Sequence, residues 1–290
     1  MQKEKKVFIY HPSILGVELG NDGFAGVLNR LCPSQSNTFP INLDNQDDNK
    51  AILHIERDGS NYAISLQRLK EKDLPKIANA DDGSNEVDLM MPNGTALSFK
   101  NLFIYNHEKG ILVSAKLGSC PQISMFRECL QKIIRSEIPG FERAIFVTRM
   151  IFERGLVGKL RDAVSISMAQ FSSNDFYGEE ISGTRLDQYK EYLSGQGYAK
   201  TTKLKGIRGQ NLKTQLMPII EDIVANGGTL PEHIKIKMEI DGDSVDFSKY
   251  YKMYKIMVKV DEANHRYLDY ADLKSKLLEI IEGFNLANEE

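Results

Sequence analysis

The sequence predicts an α+β fold in which mixed, hairpin-rich sheets combine with amphipathic helices in two small domains. Three observations carry that expectation. Short apolar runs come in pairs around turn residues, single helical stripes separate the pairs, and the βαβ regularity of a parallel sheet is missing. The 290 residues, 41% hydrophobic and 27% charged, are enough for sizeable cores. A boundary near residue 136 is expected to separate an N-terminal domain (1–136) from a C-terminal one (137–290).

The elements follow in chain order. Val7 to Tyr10 is a β-rich run ending at His11-Pro12, and Phe24, Val27, Leu28 and Leu31 share one helical face before Pro33. Residues 33–50 are polar and aperiodic and read as a loop. Ala51 to Glu56 and Asn61 to Leu66 flank Arg57-Asp58-Gly59-Ser60, whose Asp-Gly centre favours a hairpin turn. Residues 70–98 read as surface chain. Leu102 to Tyr105 and Ile111 to Ala115 form a second hairpin around Gly110. Pro121 then opens a helix whose stripe is Ile123, Phe126, Leu130, Ile133 and Ile134.

Farther on, Ala144 to Phe152 and Ala163 to Phe171 read as strands and Leu186 to Leu193 as a short helix. Pro218 is expected to open a helix that ends at Asn226-Gly227-Gly228. Two β segments follow, Ile234 to Ile240 and Tyr250 to Val260. A last helix is capped by Asp269 and turns Leu273, Leu277, Ile280 and Ile281 inward.

Charge is unevenly spread. Residues 1–100 hold 11 basic and 14 acidic side chains, residues 101–216 hold 17 and 11, and residues 217–290 hold 9 and 15. The overall net charge of -3 excludes the globally basic class of nucleic-acid binders but conceals a basic middle. Three sparse cysteines (Cys32, Cys120, Cys129) form no CxxC pair, which argues against a disulfide framework or a zinc finger. No apolar h-region follows the N-terminal lysines, and no run of about 18 apolar residues is present. A cytoplasmic protein without membrane insertion is expected.

Catalytic motifs are scarce. Gly155-Leu156-Val157-Gly158-Lys159-Leu160 has neither the spacing nor the hydroxyl of a P-loop, and the five histidines are dispersed. Asp241, Asp243 and Asp246 do not follow the calcium-loop pattern, and a hairpin turn explains them better. No catalytic residue, metal site or cofactor is therefore assigned. The remaining signal is basic. Gly195 to Gln215 holds Lys200, Lys203, Lys205, Arg208 and Lys213 with no acid, and its glycines let a sugar-phosphate chain approach closely. Tyr198 is placed to stack or to hydrogen-bond. Arg127, Lys132 and Arg135, on the polar face of the central helix, form a second candidate set within a stretch of eight basic residues and four acids (Arg127 to Arg161). A solvated loop and a solvated helix face are the plain alternatives.

Residues 99–171 also show an order of elements that resembles a known family. An aromatic-aliphatic strand (Phe99, Leu102, Phe103, Ile104), a glycine turn and a second strand lead through Gly118-Ser119-Cys120-Pro121 into an amphipathic helix. The strand Ile145 to Met150 and a further one near Val164-Ser165-Ile166 follow. This pattern resembles the core of RexA-like phage-exclusion and abortive-infection proteins. The resemblance implies a homodimeric, cytoplasmic protein that binds duplex DNA with little sequence specificity in bacterial antiphage defence. A metal-dependent nuclease using Asp241 and Asp243, and a subunit that senses a protein partner in a defence complex, are the alternatives.

Overall fold

The computed structural model describes residues 1–19, 22–43, 49–70, 76–77, 87–88, 95–173, 200–225, 229–231, 234–260 and 268–284. Its fold is α+β, built on two antiparallel sheets. Among the described residues the larger sheet has nine strands. β1 (Gln2–Leu15) is followed by helix α1 (Gly23–Leu31), β2 (Ser36–Asn42), β3 (Asn49–Asp58) and β4 (Asn61–Lys70). A two-residue pair, β5 (Lys76–Ile77) and β6 (Val87–Asp88), stands apart. β7 (Leu97–Asn106), β8 (Ile111–Ala115), α2 (Ile123–Glu137) and β9 (Ile145–Ile151) come next.

The smaller sheet and its helices occupy the second half. They are α3 (Arg154–Asp162), β10 (Ile166–Ser173), β11 (Lys200–Lys205), α4 (Lys213–Ala225), β13 (Ile234–Ile240) and β14 (Asp243–Asp246). β12 (Thr229–Pro231), β15 (Met253–Lys259) and α5 (Tyr270–Gly283) return to the larger sheet. Its order is β12-β9-β1-β8-β7-β4-β3-β2, with β15 also on β1. Two strands share one side of β1: β15 pairs with Gln2 to Phe8 and β9 with Tyr10 to Leu15.

Period-two alternation sends the side chains of this sheet into two separate cores. Tyr10, Phe103, Tyr105, Leu112 and Phe146 face α1 and α2, where the Phe103 and Phe126 rings stack at 4.2 Å. Val7, Ile9, Ile104, Ile111 and Val113 face α5 and meet Leu273, Leu277 and Ile281. The result is a helix–sheet–helix sandwich. Its last layer is locked by Lys109 in the β7–β8 turn, whose Nζ donates to the carbonyls of Ile281 (2.6 Å), Glu282 (2.8 Å) and Phe284 (2.5 Å). A cation on the last carbonyls of a helix satisfies acceptors that have no intrahelical partner and opposes the negative end of the dipole. Lys109→Met should therefore lower stability by about 1–3 kcal/mol and speed amide exchange at the end of α5. Urea unfolding and hydrogen exchange would check this.

The smaller sheet, in the order β11-β10-β13-β14, packs α3 and α4 against one face. Leu156 and Leu160 of α3 and Leu216, Ile219 and Ile220 of α4 cover Ala169, Phe171, Ile236 and Met238. Phe152, just past β9, stacks on Tyr251 at 5.2 Å and meets Phe247 edge-on at 5.8 Å, joining this unit to the end of the larger sheet.

Both hairpins, the α2 stripe and the Asp269 cap stand where the sequence puts them; Asp269 accepts from the N–H groups of Ala271 and Asp272. Several expectations are corrected. β1 continues through Pro12, which lies opposite Thr148. β2 forms inside the stretch read as loop, pairing with β3 to give Phe39 and Ile41 a place in the core. Between the two expected strands, residues 154–162 form α3, an element the sequence reading does not contain, and the helix expected from Pro218 begins at Lys213. Layers do not part at residue 136, because β9, β12, β15 and α5 all join the sheet begun by residues 1–136. The expected helix at Leu186 to Leu193, and Tyr198, lie outside the described residues, as does most of 70–98.

Candidate nucleic-acid interface

β11 is written Lys-Thr-Thr-Lys-Leu-Lys, and its alternation decides what it presents. Leu204 packs toward α3 and α4, so Thr201, Lys203 and Lys205 point to the other face and are exposed. On β10, burial of Ala169 and Phe171 turns Gln170 and Ser172 the same way. On β13, burial of Ile234, Ile236 and Met238 leaves Lys235 and Lys237 exposed on that face.

Register then assembles these side chains. Lys203 lies opposite Gln170, which lies opposite Lys237; Thr201, Ser172 and Lys235 form the next row, and Lys205, Met168 and Glu239 the previous one. The Ser172 and Thr201 hydroxyls hydrogen-bond across the strands at 3.2 Å. Lysines 205, 203, 237 and 235 thus form a diagonal band on the sheet face opposite α3 and α4. Taking about 6.8 Å per two residues and about 4.8 Å between strands, the band is about 16 Å long. Lys237 also meets Asp246 at 3.3 Å, a surface pair of the kind that contributes little and exchanges readily.

The other sequence-predicted residues are placed differently. Lys213 donates from Nζ to the Ala163 carbonyl at the end of α3, so it ties two helices together. Lys200 opens β11 and Arg208 lies in the 3-10 turn Ile207–Gly209, their side chains outside the described set. Arg127, Lys132 and Arg135 sit on α2, against the larger sheet and not beside β11. There Lys132 contacts the Leu43 carbonyl (2.9 Å) and Glu128 (3.0 Å), and Arg135 Nε donates to the Ala144 carbonyl (2.7 Å). Lys235 and Lys237 lie outside the acid-free basic stretch and are not among the residues the sequence singles out. Their signal is the alternation of Ile234-Lys235-Ile236-Lys237-Met238, which lies in the segment with the greatest excess of acid.

Asp241 is held by structure. At φ 50° beside Gly242 at φ 88°, it occupies the tight β13–β14 turn, and its carboxylate accepts from the N–H groups of Val164 and Ser165 and from the Ser165 hydroxyl. Those bonds, Ser165 first and Val164 next, hold its carboxyl below the usual range. Asp246 accepts from the Ser248 N–H and hydroxyl. Among the described residues no group of three or more His, Cys, Asp or Glu side chains is arranged to hold a metal. The glycine-containing segment at 155–160 runs through α3 and makes no phosphate loop.

The cysteines are not activated. Burial raises all three thiols, Cys129 to about 12, and Cys32 and Cys129 are closed off from solvent. In the native protein at pH 8, iodoacetamide should therefore modify Cys120 slowly and Cys32 and Cys129 hardly at all, with all three reacting in urea. Peptide mass spectrometry would read the pattern.

Comparison with models of known protein families and with curated protein sequences returns no match. No helix among the described residues is long and apolar enough to cross a membrane.

Proposed function

We propose that this chain binds duplex DNA through phosphate contacts, with little regard to sequence, as a homo-oligomer in a cytoplasmic bacterial antiphage system of the abortive-infection kind. The observation that carries the DNA reading is the band formed by Lys203, Lys205, Lys235 and Lys237, with Gln170, Ser172 and Thr201 among them and Glu239 and Asp246 as the acids of the same face. Ammonium groups on long stems act as mobile point charges suited to phosphate oxygens. A band of about 16 Å matches about half a turn of duplex, where one strand offers four or five phosphates. The defence setting and the oligomer rest on the resemblance of residues 99–171 to RexA-like proteins. The nuclease reading draws no support from Asp241, whose carboxylate accepts from the N–H groups of Val164 and Ser165.

Fluorescence anisotropy with duplexes of unrelated sequence, over a salt series, tests the reading. Similar affinities for all duplexes and a slope of log affinity against log salt of about -3.6 or steeper are expected if four or more phosphates are neutralised. Absence of binding at low salt would overturn it.

A further inference from the structure

We propose that Ile207 is an apolar wedge that enters the stacked bases of the duplex held by the lysine band. The inference rests on the DNA-binding reading above and adds a mode of engagement to it. β11 ends at Lys205 and the chain turns at once through Gly206 into the 3-10 turn Ile207–Gly209. Ile207 is 73% exposed, a position where a β-branched apolar side chain gains nothing in water.

The turn that projects Ile207 is tightly built. Gly206 N–H donates to the Ser167 carbonyl (3.0 Å) and Gln210 N–H to the Ile207 carbonyl (3.2 Å). A Cβ at Gly206 would stand 2.0 Å from the Gln210 carbonyl oxygen, so only glycine fits, and Gly209 adopts φ +77°. Just beyond, the Asn211 side chain donates to the Val164 carbonyl and accepts from the N–H groups of Ile166 and Lys213, while Leu212 N–H reaches the Ile166 carbonyl at 2.7 Å. Ile207 is thus displayed on a fixed support, which reduces the entropy lost when it is buried in a partner.

The partner must offer an apolar layer bordered by anions, because exposed Lys205 precedes the tip by two residues and Arg208 follows it in sequence. Stacked base pairs bordered by phosphates meet that description, and apolar side chains inserted at base steps unstack and kink the duplex. Continuity with the lysine band on β11 selects duplex DNA over the other anion-bordered apolar layer, a lipid surface. Val164, 78% exposed at the same end of the sheet, lies beside the Asp241 carboxylate and is not assigned this role.

The test uses the full chain with duplexes carrying 2-aminopurine at pyrimidine–purine steps and dyes at both ends. The parent should raise 2-aminopurine emission and shorten the end-to-end distance. Ile207→Ser should lose both signals and bind about tenfold more weakly with an unchanged salt slope, whereas Ile207→Leu should keep them. A thermal melt matching the parent shows that the exposed substitution leaves the fold intact. Salt-dependent binding by the parent without unstacking or bending, equalled by Ile207→Ser, would overturn the wedge and leave the DNA reading standing. No duplex binding by the parent overturns both. Ile207-dependent binding to phosphatidylserine vesicles, with no effect of Ile207→Ser on DNA, would assign the tip to a lipid surface and overturn the wedge.

Discussion

Replacing Lys203, Lys205, Lys235 and Lys237 together with alanine is expected to reduce the magnitude of the salt slope for duplex binding by about 3 to 4 and to weaken binding to all sequences alike. The size follows from counterion release, at about 0.9 per neutralised phosphate. All four lysines are exposed, and the one with a carboxylate partner, Lys237, makes a surface pair with Asp246, so the fold should withstand their loss. Because Lys203 and Lys237 flank Gln170 from opposite sides, the two lysines of either strand alone should account for about half of the change. Anisotropy titrations between 50 and 200 mM salt would measure it, roughly the range over which proteins making several phosphate contacts lose most of their affinity. An unchanged slope in a folded variant would move the interface off this face, with Arg127, Lys132 and Arg135 the next set to replace.

Leu277→Ala should be among the most destabilising single changes, at about 2–5 kcal/mol. Leu277 is fully buried where α5 meets Val7, Ile9, Ile104, Ile111 and Val113 of the larger sheet, and truncation leaves a cavity that a wide, rigid sheet cannot close. The smaller sheet has its own core under α3 and α4, so the variant should retain the lysine band, and its DNA affinity should be kept at temperatures where it remains folded. Urea unfolding gives the stability change, and anisotropy the affinity. A loss below about 1 kcal/mol would contradict the packing of α5 as the third layer.

What the sequence reveals here is what lies close along the chain. The hairpins around Asp58-Gly59 and Gly110, the α2 stripe and the Asp269 cap depend on residues a few positions apart, and each forms as its pattern requires. Pairings between distant segments leave no such trace. Nothing local in Met253 to Lys259 says that it will lie along Gln2 to Phe8, and that pairing, with β9 on the rest of β1, is why the layers ignore residue 136. α3 was hidden because Arg154 to Asp162 carries two glycines and several charges around only a few apolar residues, and β2 because Ser36 to Asn42 is polar with Pro40 inside it. The same distinction divides the candidate site. Lys203 and Lys205 are legible because they are dense in sequence, whereas Lys235 and Lys237 join them only through β10, whose pairing with both strands no spacing announces.

The most direct test of the interface is where bound DNA shields lysine amines. Brief acylation of the full chain with and without a saturating random-sequence duplex, read by peptide mass spectrometry, reports each side chain separately. Protection concentrated at Lys203, Lys205, Lys235 and Lys237, with Lys255 and Lys276 labelled as in free protein, is the predicted result. Equal labelling of those four residues in the bound and free protein, or protection confined to Lys132 on α2, would contradict it.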